Sequence, residues 1–363
     1  MMQKMLGPLL CLWLTACVAS PAWLNNQVHI QQAKTKSLQI RLFRSYGNEQ
    51  HIHLKARVMK AENIRPENPN DWAIINFWRN LMSLSVKESA NVKVDFSLNG
   101  KTQRLISDEE GMIQTSTQSF GRLSPGVYTL RAEIVPGQNV QAAVSSEKIF
   151  IQAQTDAELG VVSDIDDTIK VSSVTNKWKA LRRLLFNNSY TSEPIPGTSV
   201  LYQKLEAQDH LQDGDIRYIS GSPINLAETI YRFMDHRQFP LGAVELKKWG
   251  FGAGDDNPMA QQSFKITRLR QLFNTYPQKS FLLFGDSGEK DPEIYRQIAS
   301  EFPGRVKGIF INNVTQGNPT DPRFQGVYLT QSVLDAATIL YQQGYLTALD
   351  FEAVKQATQI AKR

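Results

Sequence analysis

The sequence predicts an α/β protein: an open, doubly wound parallel sheet with helices on both faces, preceded by a smaller β-sandwich-like domain. Three observations carry this expectation. The chain has 363 residues, more than one ordinary core encloses. Residues 37–151 show short runs of period-two apolar alternation separated by turn residues. From residue 159 onward, short apolar runs alternate with stretches of helical spacing, the pattern of a parallel sheet wrapped by helices. The expected division is a leader at 1–22, a β-rich domain at 30–153 and an α/β domain at 157–363.

In the β-rich part, residues 51–58 and 92–98 alternate polar and apolar, as half-buried strands do. Asn99-Gly100 follows the second of these and signals a tight hairpin, with a return strand at 103–106. Strands are also expected at 127–135 and 148–151. Residues 71–83, with Trp72, Phe77 and Trp78, break the alternation and are expected to form a helix capped by Asp71. His51 and His53 lie two apart on one strand face, which invites a metal reading. A solvent-facing pair is preferred, because no third ligand stands nearby.

In the α/β part, strands are expected at 160–165, 216–219, 243–249, 281–284 and 306–311. Helices are expected at 198–211, 224–236, 264–276 and 292–302, with a helical tail from Gln331. Ser222 followed by Pro223 suggests a capped start for the second of these helices. In such sheets ligands sit at the carboxyl ends of the strands, so those ends decide which residues to inspect.

Composition narrows the chemistry. Apolar residues make up 41% and charged residues 21%, as in an ordinary globular chain, and the net charge is +5. Mild basicity suits anionic partners, but no long Lys/Arg run suggests nucleic acid. The first residues, MMQK followed by MLGPLLCLWLTA, read as a charged n-region and an apolar run too short for an ordinary span, hence an export signal. Leu14-Thr15-Ala16-Cys17 resembles a bacterial lipobox, which implies lipidation at Cys17 and a place in the cell envelope. The alternative is plain cleavage near Ala22 and a soluble periplasmic or secreted protein. Cys11 and Cys17 are the two cysteines, so the body beyond them offers no disulfide, thiol nucleophile or Cys-ligated zinc.

The carboxyl ends of the predicted strands carry the chemistry. The first strand runs into Asp164-Ile165-Asp166-Asp167-Thr168. Carboxylates crowded there repel one another and resist desolvation, and a divalent cation relieves both problems. Oxygen ligands without Cys or His favour Mg²⁺. A Ca²⁺ loop of EF-hand type is excluded by the missing turn Gly and closing Glu. A second apolar strand ends in Gly285-Asp286-Ser287-Gly288-Glu289-Lys290-Asp291. A third ends in Ser220-Gly221-Ser222, which offers hydroxyls and N–H groups before a helix. Lys265 sits near the start of another predicted helix.

DxDxT, then Ser after a strand, then Lys, then GDxxxxD is similar to the motif order of haloacid-dehalogenase-type phosphatases. The strings SDIDDTIK, YISGSP, LKKWG, FKITRLRQLF and FGDSGEKDPEIY resemble the catalytic domain of the actin-patch phosphatidate phosphatase family. Ser-Gly-Ser stands where that pattern leads one to expect Ser-Asn-Ser. The resemblance implies a HAD-like (Rossmannoid) fold and a Mg²⁺-dependent phosphatase acting on phosphatidate or a related phosphorylated lipid. It implies Asp164 as nucleophile, Asp166 as general acid and base held by Thr168, and Ser220 and Lys265 on the phosphoryl oxygens. It further implies Mg²⁺ on Asp164, Asp286 and the backbone carbonyl of Asp166, with Asp291 orienting Lys265 or the metal's waters.

Simpler readings stand beside these roles. Asp291-Pro292 also suits a helix cap, and Glu289 and Lys290 an exposed pair. Lys247 and Lys248 read as a solvated strand edge. Asp255 and Asp256, in a loop at 252–258 that could gate the site, read as plain loop residues. Residues 177–186 form a basic amphipathic pattern that suits either an anionic membrane surface or packing onto the core. Two other functions stay open: hydrolysis of a soluble phosphomonoester, and a non-catalytic membrane-anchored binding protein.

Overall fold

The structure, a computed structural model, describes residues 37–61, 64–84, 87–137, 142–153, 158–172, 187–207, 214–248 and 261–360. The leader with Cys17, the basic segment 177–186 and the loop 252–258 lie outside the described residues.

Eight strands come first: β1 Leu38–Leu42, β2 Ser45–Asn48, β3 Ile52–Lys60, β4 Lys93–Leu98, β5 Lys101–Ile106, β6 Met112–Thr117, β7 Gly126–Ile134 and β8 Val144–Gln152. They pair in the order β1-β3-β2-β8-β7-β4-β5, with β6 on β3. The expected sandwich is therefore one continuous hydrogen-bonded network. Its joint is the long strand β3, which pairs β2 through Ile52 and His53, β1 through residues 56–60, and β6 along the opposite edge. The apolar alternation feeds one shared core that includes Leu54, Val58, Val94, Phe96, Leu130 and Ile149. Asn99 and Gly100 join β4 to β5 with φ of 49° and 75°, the left-handed pair that a two-residue hairpin requires. The short strands β1, β2 and β6 were not legible in the alternation.

Helix α1, Ala73–Leu84, follows β3. Asp71 does not cap it. Its carboxylate accepts from the Asn68 N–H at 3.0 Å and pairs with Arg65 and Arg79, each at 2.8 Å.

The α/β part comprises β9 Leu159–Ser163, α2 Thr198–Glu206, β10 Ile216–Pro223, α3 Ala227–His236, β11 Ala243–Lys247, α4 Gln261–Thr275, β12 Ser280–Asp286, α5 Asp291–Glu301, β13 Val306–Asn312, β14 Tyr328–Thr330, α6 Val333–Gln342 and α7 Ala348–Ile360. The six strands pair in parallel in the order β11-β10-β9-β12-β13-β14. Successive residues of one strand serve opposite faces. Val161 and Leu282 join a cluster with Leu201 of α2, Phe233 of α3 and Leu340 of α6, whereas Val162 and Leu283 join one with Leu269 of α4 and Ile298 of α5. Burial on both faces explains why these strands read as continuous apolar runs. Strand order turns at β9, whose neighbours are β10 and β12. A crevice forms where the chain leaves adjacent strands in opposite directions, here at the carboxyl ends of β9, β10 and β12.

Two local expectations change. Ser222 does not cap the helix after it: Pro223 stays extended at φ −58° and ψ 134°, and a single 3₁₀ turn, Ile224–Leu226, precedes α3. Lys247 and Lys248 are not a solvated edge, since Lys247 is buried and Lys248 pairs with Glu110.

The polar face of β3 is not a solvent face either. His53 Nε2 lies 2.7 Å from the Thr275 hydroxyl, and its ring packs on Tyr46. Lys55 Nζ donates to the Leu246 carbonyl at 3.0 Å, and Arg57 to Asn225 Oδ1 at 2.8 Å. Tyr276 donates to the Gly47 carbonyl at 2.8 Å, and Arg217 to Gln152 Oε1 at 2.9 Å. The alternation is real, but its polar half satisfies groups of the second sheet. Buried polar atoms need such partners, and this face supplies them.

Candidate active site

Asp164 follows directly on β9. Its N–H donates to the Phe284 carbonyl at 2.9 Å, which extends the β9–β12 ladder by one step and fixes the carboxylate at the crevice. Asp167 then takes φ 57°, a left-handed turn, with its carbonyl held by Asn312 Nδ2 at 2.9 Å and its carboxylate by the Ser172 N–H at 2.6 Å. This turn swings Asp166 back toward β10.

Lys265, on the first turns of α4, is 1% exposed and reaches three carboxylates: Asp164 Oδ1 at 2.8 Å, Glu289 Oε2 at 2.8 Å and Asp291 Oδ1 at 2.6 Å. Asp286 ends β12, and its Oδ1 accepts from the N–H groups of Gly288 at 2.6 Å and Glu289 at 3.2 Å. Asp291 Oδ2 accepts from the Asp286 N–H at 3.3 Å. Asp291 is thus not a helix cap: Lys290 holds that position and Asp291 opens α5. Glu289 is no exposed pair member, because its carboxylate meets Lys265.

Electrostatics follow from burial. Burial pushes the Asp164 carboxyl well above the carboxylate range; Lys265 opposes this, and Asp291, Glu289 and Asp286 reinforce it. Asp286 is likewise pushed well up, by burial and then by Asp291 and Glu289. Burial would lower the Lys265 ammonium, but Asp164, Asp291 and Glu289 outweigh it and hold it well above its usual value. The ligand atoms of Asp164, Asp286, Glu289 and Asp291 lie within 4.8 Å of one another. Lys265 takes up oxygens of Asp164, Glu289 and Asp291. Asp164 Oδ2 and Asp286 Oδ2 are buried with no hydrogen-bond partner. Two orphaned carboxylate oxygens in an over-charged cluster are the donors a hard divalent cation takes, so these residues fit Mg²⁺.

Asp166 stands apart from that cluster. Its Oδ1 accepts from Ser172 Oγ at 2.5 Å and pairs with Lys170 at 3.0 Å, while its Oδ2 accepts from Ser222 Oγ at 2.5 Å and Ser220 Oγ at 3.3 Å. Burial raises its carboxyl, but Lys170 and the hydroxyls of Ser172 and Ser222 prevail and leave it at about 2. Thr168 does not hold Asp166: its buried Oγ1 has no partner, and the work falls to Ser172, Ser222 and Lys170. Ser222 was visible in the motif as a hydroxyl. Lys170 closes the SDIDDTIK string and Ser172 lies two residues past it, and the turn at Asp167 brings both to Asp166.

Residues 159–313 match the family model described as the catalytic domain of the phosphatidate phosphatase APP1. The chain is similar to phosphatidate phosphatase APP1 of Saccharomyces cerevisiae, 32% identical over 153 residues, which are 42% of this chain and 25% of that protein. An uncharacterized protein of Schizosaccharomyces pombe is 27% identical over 160 residues, 43% of this chain and 25% of that one. The matched stretch thus spans a quarter of each curated relative's length. Among solved structures, a carbohydrate acetylesterase from Xanthomonas citri aligns over 86% of this chain and 74% of its own at 12% identity and a TM-score of 0.26. That score supports no statement about fold or activity. Asp164, Asp166, Ser220, Lys265, Asp286 and Asp291 all fall within the matched residues.

Proposed function

We propose that the chain is a Mg²⁺-dependent phosphatase that hydrolyses phosphatidate or a related lipid phosphate through an aspartyl-phosphate on Asp164. The observation that carries this reading is the pair of unpartnered oxygens, Asp164 Oδ2 and Asp286 Oδ2, beside a charged Lys265 at the carboxyl ends of β9 and β12. The strand order supports a haloacid-dehalogenase-like doubly wound core, with the described β-rich and α/β parts as its two domains.

In this mechanism Asp164 attacks phosphorus in line, and the bond from phosphorus to the lipid oxygen breaks. Lys265 neutralises charge on the phosphoryl oxygens and, through Asp291 and Glu289, stays aimed at Asp164. Mg²⁺, held by Asp164, Asp286 and the Asp166 carbonyl, would supply charge neutralisation at the phosphoryl group. Asp166 is ionised at neutral pH before substrate arrives, so the proton it gives the leaving oxygen enters with the phosphate monoanion. Water then attacks the aspartyl-phosphate and gives its proton to Asp166, which releases phosphate. Ser220 donates to a phosphoryl oxygen. The leader is assigned to export with lipid anchoring at Cys17; mass spectrometry of the amino-terminal peptide decides that point.

Acid quenching during turnover of radiolabelled phosphatidate tests the covalent step. A protein-bound phosphate that is labile to hydroxylamine and missing in Asp164→Asn is expected. Turnover with no trapped phosphate, or label kept in Asp164→Asn, would place the nucleophile elsewhere.

A further inference from the structure

Helix α1 is inside out. Its inward face is polar: Asn76, Arg79 and Asn80 are buried, with Arg79 on Asp71 at 2.8 Å and on Asn76 Oδ1 at 2.7 Å. Its outward face carries Trp78 at 57% exposure, Ile74 at 52% and Leu81 at 40%, and Trp72, just before the helix, is 78% exposed. Scattered exposed apolar side chains are ordinary, but a tryptophan with two aliphatics on one helix face, and a second exposed tryptophan just before the helix, form a patch that calls for a partner.

Three features say which partner. First, the helix is tied to the rim of the candidate site. Asn225, three residues past Ser222, donates to the Ser83 carbonyl at 2.8 Å, and Asn80 donates to the Asn187 carbonyl at 2.9 Å. Second, the stretch from Ala73 to Leu84 contains no acidic residue, and its one charge, Arg79, points inward. The cleft along its flank is lined by Arg41, Arg65, Arg79 and Arg232 against Glu67 and Glu228; Arg41 and Arg232 share Glu228 and Arg65 pairs with Asp71, and the arginines outnumber the carboxylates that line it, a balance that suits anionic head groups. Third, tryptophan prefers the bilayer interface, where an apolar ring and a polar N–H are both satisfied. Among the described residues no helix is long and apolar enough to cross a membrane, so α1 lies on a bilayer and does not span it.

We propose that α1 is a lipid-surface docking helix that seats Ile74, Trp78 and Leu81 in the bilayer interface, with Trp72 beside its start, and brings the crevice to its lipid substrate. This rests on the lipid-phosphatase reading for its purpose, but not for its detection. Residues 177–186 are not part of it.

The test uses the full chain and the variant Ile74→Asp/Leu81→Asp, which keeps both tryptophans as reporters. Vesicles of phosphatidylcholine and phosphatidylglycerol, neither a phosphomonoester, carry brominated phosphatidylcholine as quencher. Tryptophan emission of the wild type is expected to be quenched, and the variant's to be quenched severalfold less, at equal melting temperature and equal oligomeric state. Turnover of phosphatidate in vesicles is expected to fall on the order of tenfold in the variant, because a weaker interfacial seat lowers local substrate access. Turnover of soluble short-chain phosphatidate is expected to be unchanged. Equal quenching in both proteins overturns the proposal. So does a wild-type dimer that the variant dissociates, which would make the face a self-interface. A variant that melts well below wild type overturns it too, since the chain itself would then cover the face. Docking lost in the variant, with neither protein hydrolysing phosphatidate, upholds the docking helix and sinks the phosphatase reading alone.

Discussion

Lys265 sets one buried ammonium against three carboxylates. Removing it leaves those carboxylates uncompensated, a heavier loss than that of a surface pair. Lys265→Met is expected to lower kcat by ~10²-fold or more, since a donor of this kind supplies about 3 kcal/mol to the transition state. Its melting temperature should fall more at pH 8 than at pH 5, because the carboxylates left behind can take up protons in acid. Equal kcat, or equal melting loss at both pH values, contradicts this placement. Lys265 and the acidic residues Asp164, Asp166, Asp286 and Asp291 were legible in the sequence, because each sits where a predicted strand or helix meets a loop. The parts played by Glu289, Ser172 and Lys170 were not. Their roles arise from the turn at Asp167 and from the approach of α4, which no local pattern records.

At the scale of elements, the end of β12 shows how backbone sets chemistry. A Cβ on Gly285 would stand 2.5 Å from Asp291 Oδ2 and 2.8 Å from the Tyr295 ring. Only a glycine lets α5 bring Asp291 so close to the strand. Gly285→Ala is expected to cost roughly 1–3 kcal/mol by overpacking and to displace Asp291 from Lys265, so that turnover falls with stability. Gly100→Ala is the matching control. Space around Gly100 is open, so its left-handed φ of 75° alone costs about 1 kcal/mol and turnover is untouched. Similar effects on turnover in both would detach Gly285 from the site. Most strands and helices were legible from periodicity. The orientation of α1 was not, because spacing reveals that a helix has two faces but not which one turns inward.

Across the whole molecule, the two sheets are joined by buried polar contacts from β2, β3 and β8 to β10, β11 and α4. His53 belongs to that seam. Burial lowers its imidazole from 6.5 to about 4, so the folded chain binds fewer protons there than the unfolded chain. Its contribution is complete above about pH 6.5 and is lost as pH falls toward about 4, with an upper bound of about 3 kcal/mol. His53→Gln keeps a polar contact to Thr275 without titrating. Over that window its stability is expected to decline less steeply with acid than the wild type's in urea titrations. Parallel declines would remove His53 from the account. The seam was missed in the sequence because β3 alternates as a solvent-facing strand does, and only the second sheet reveals what its polar residues meet.

Phosphate release from phosphatidate in mixed micelles, by the full chain and by Asp164→Asn, with Mg²⁺ and with EDTA, tests the central claim most directly. The account predicts release with Mg²⁺, none with EDTA and none from the variant despite an intact fold. Release only from a soluble ester would keep the chemistry and remove the lipid. Silence on every phosphomonoester from folded protein with Mg²⁺ would contradict the account.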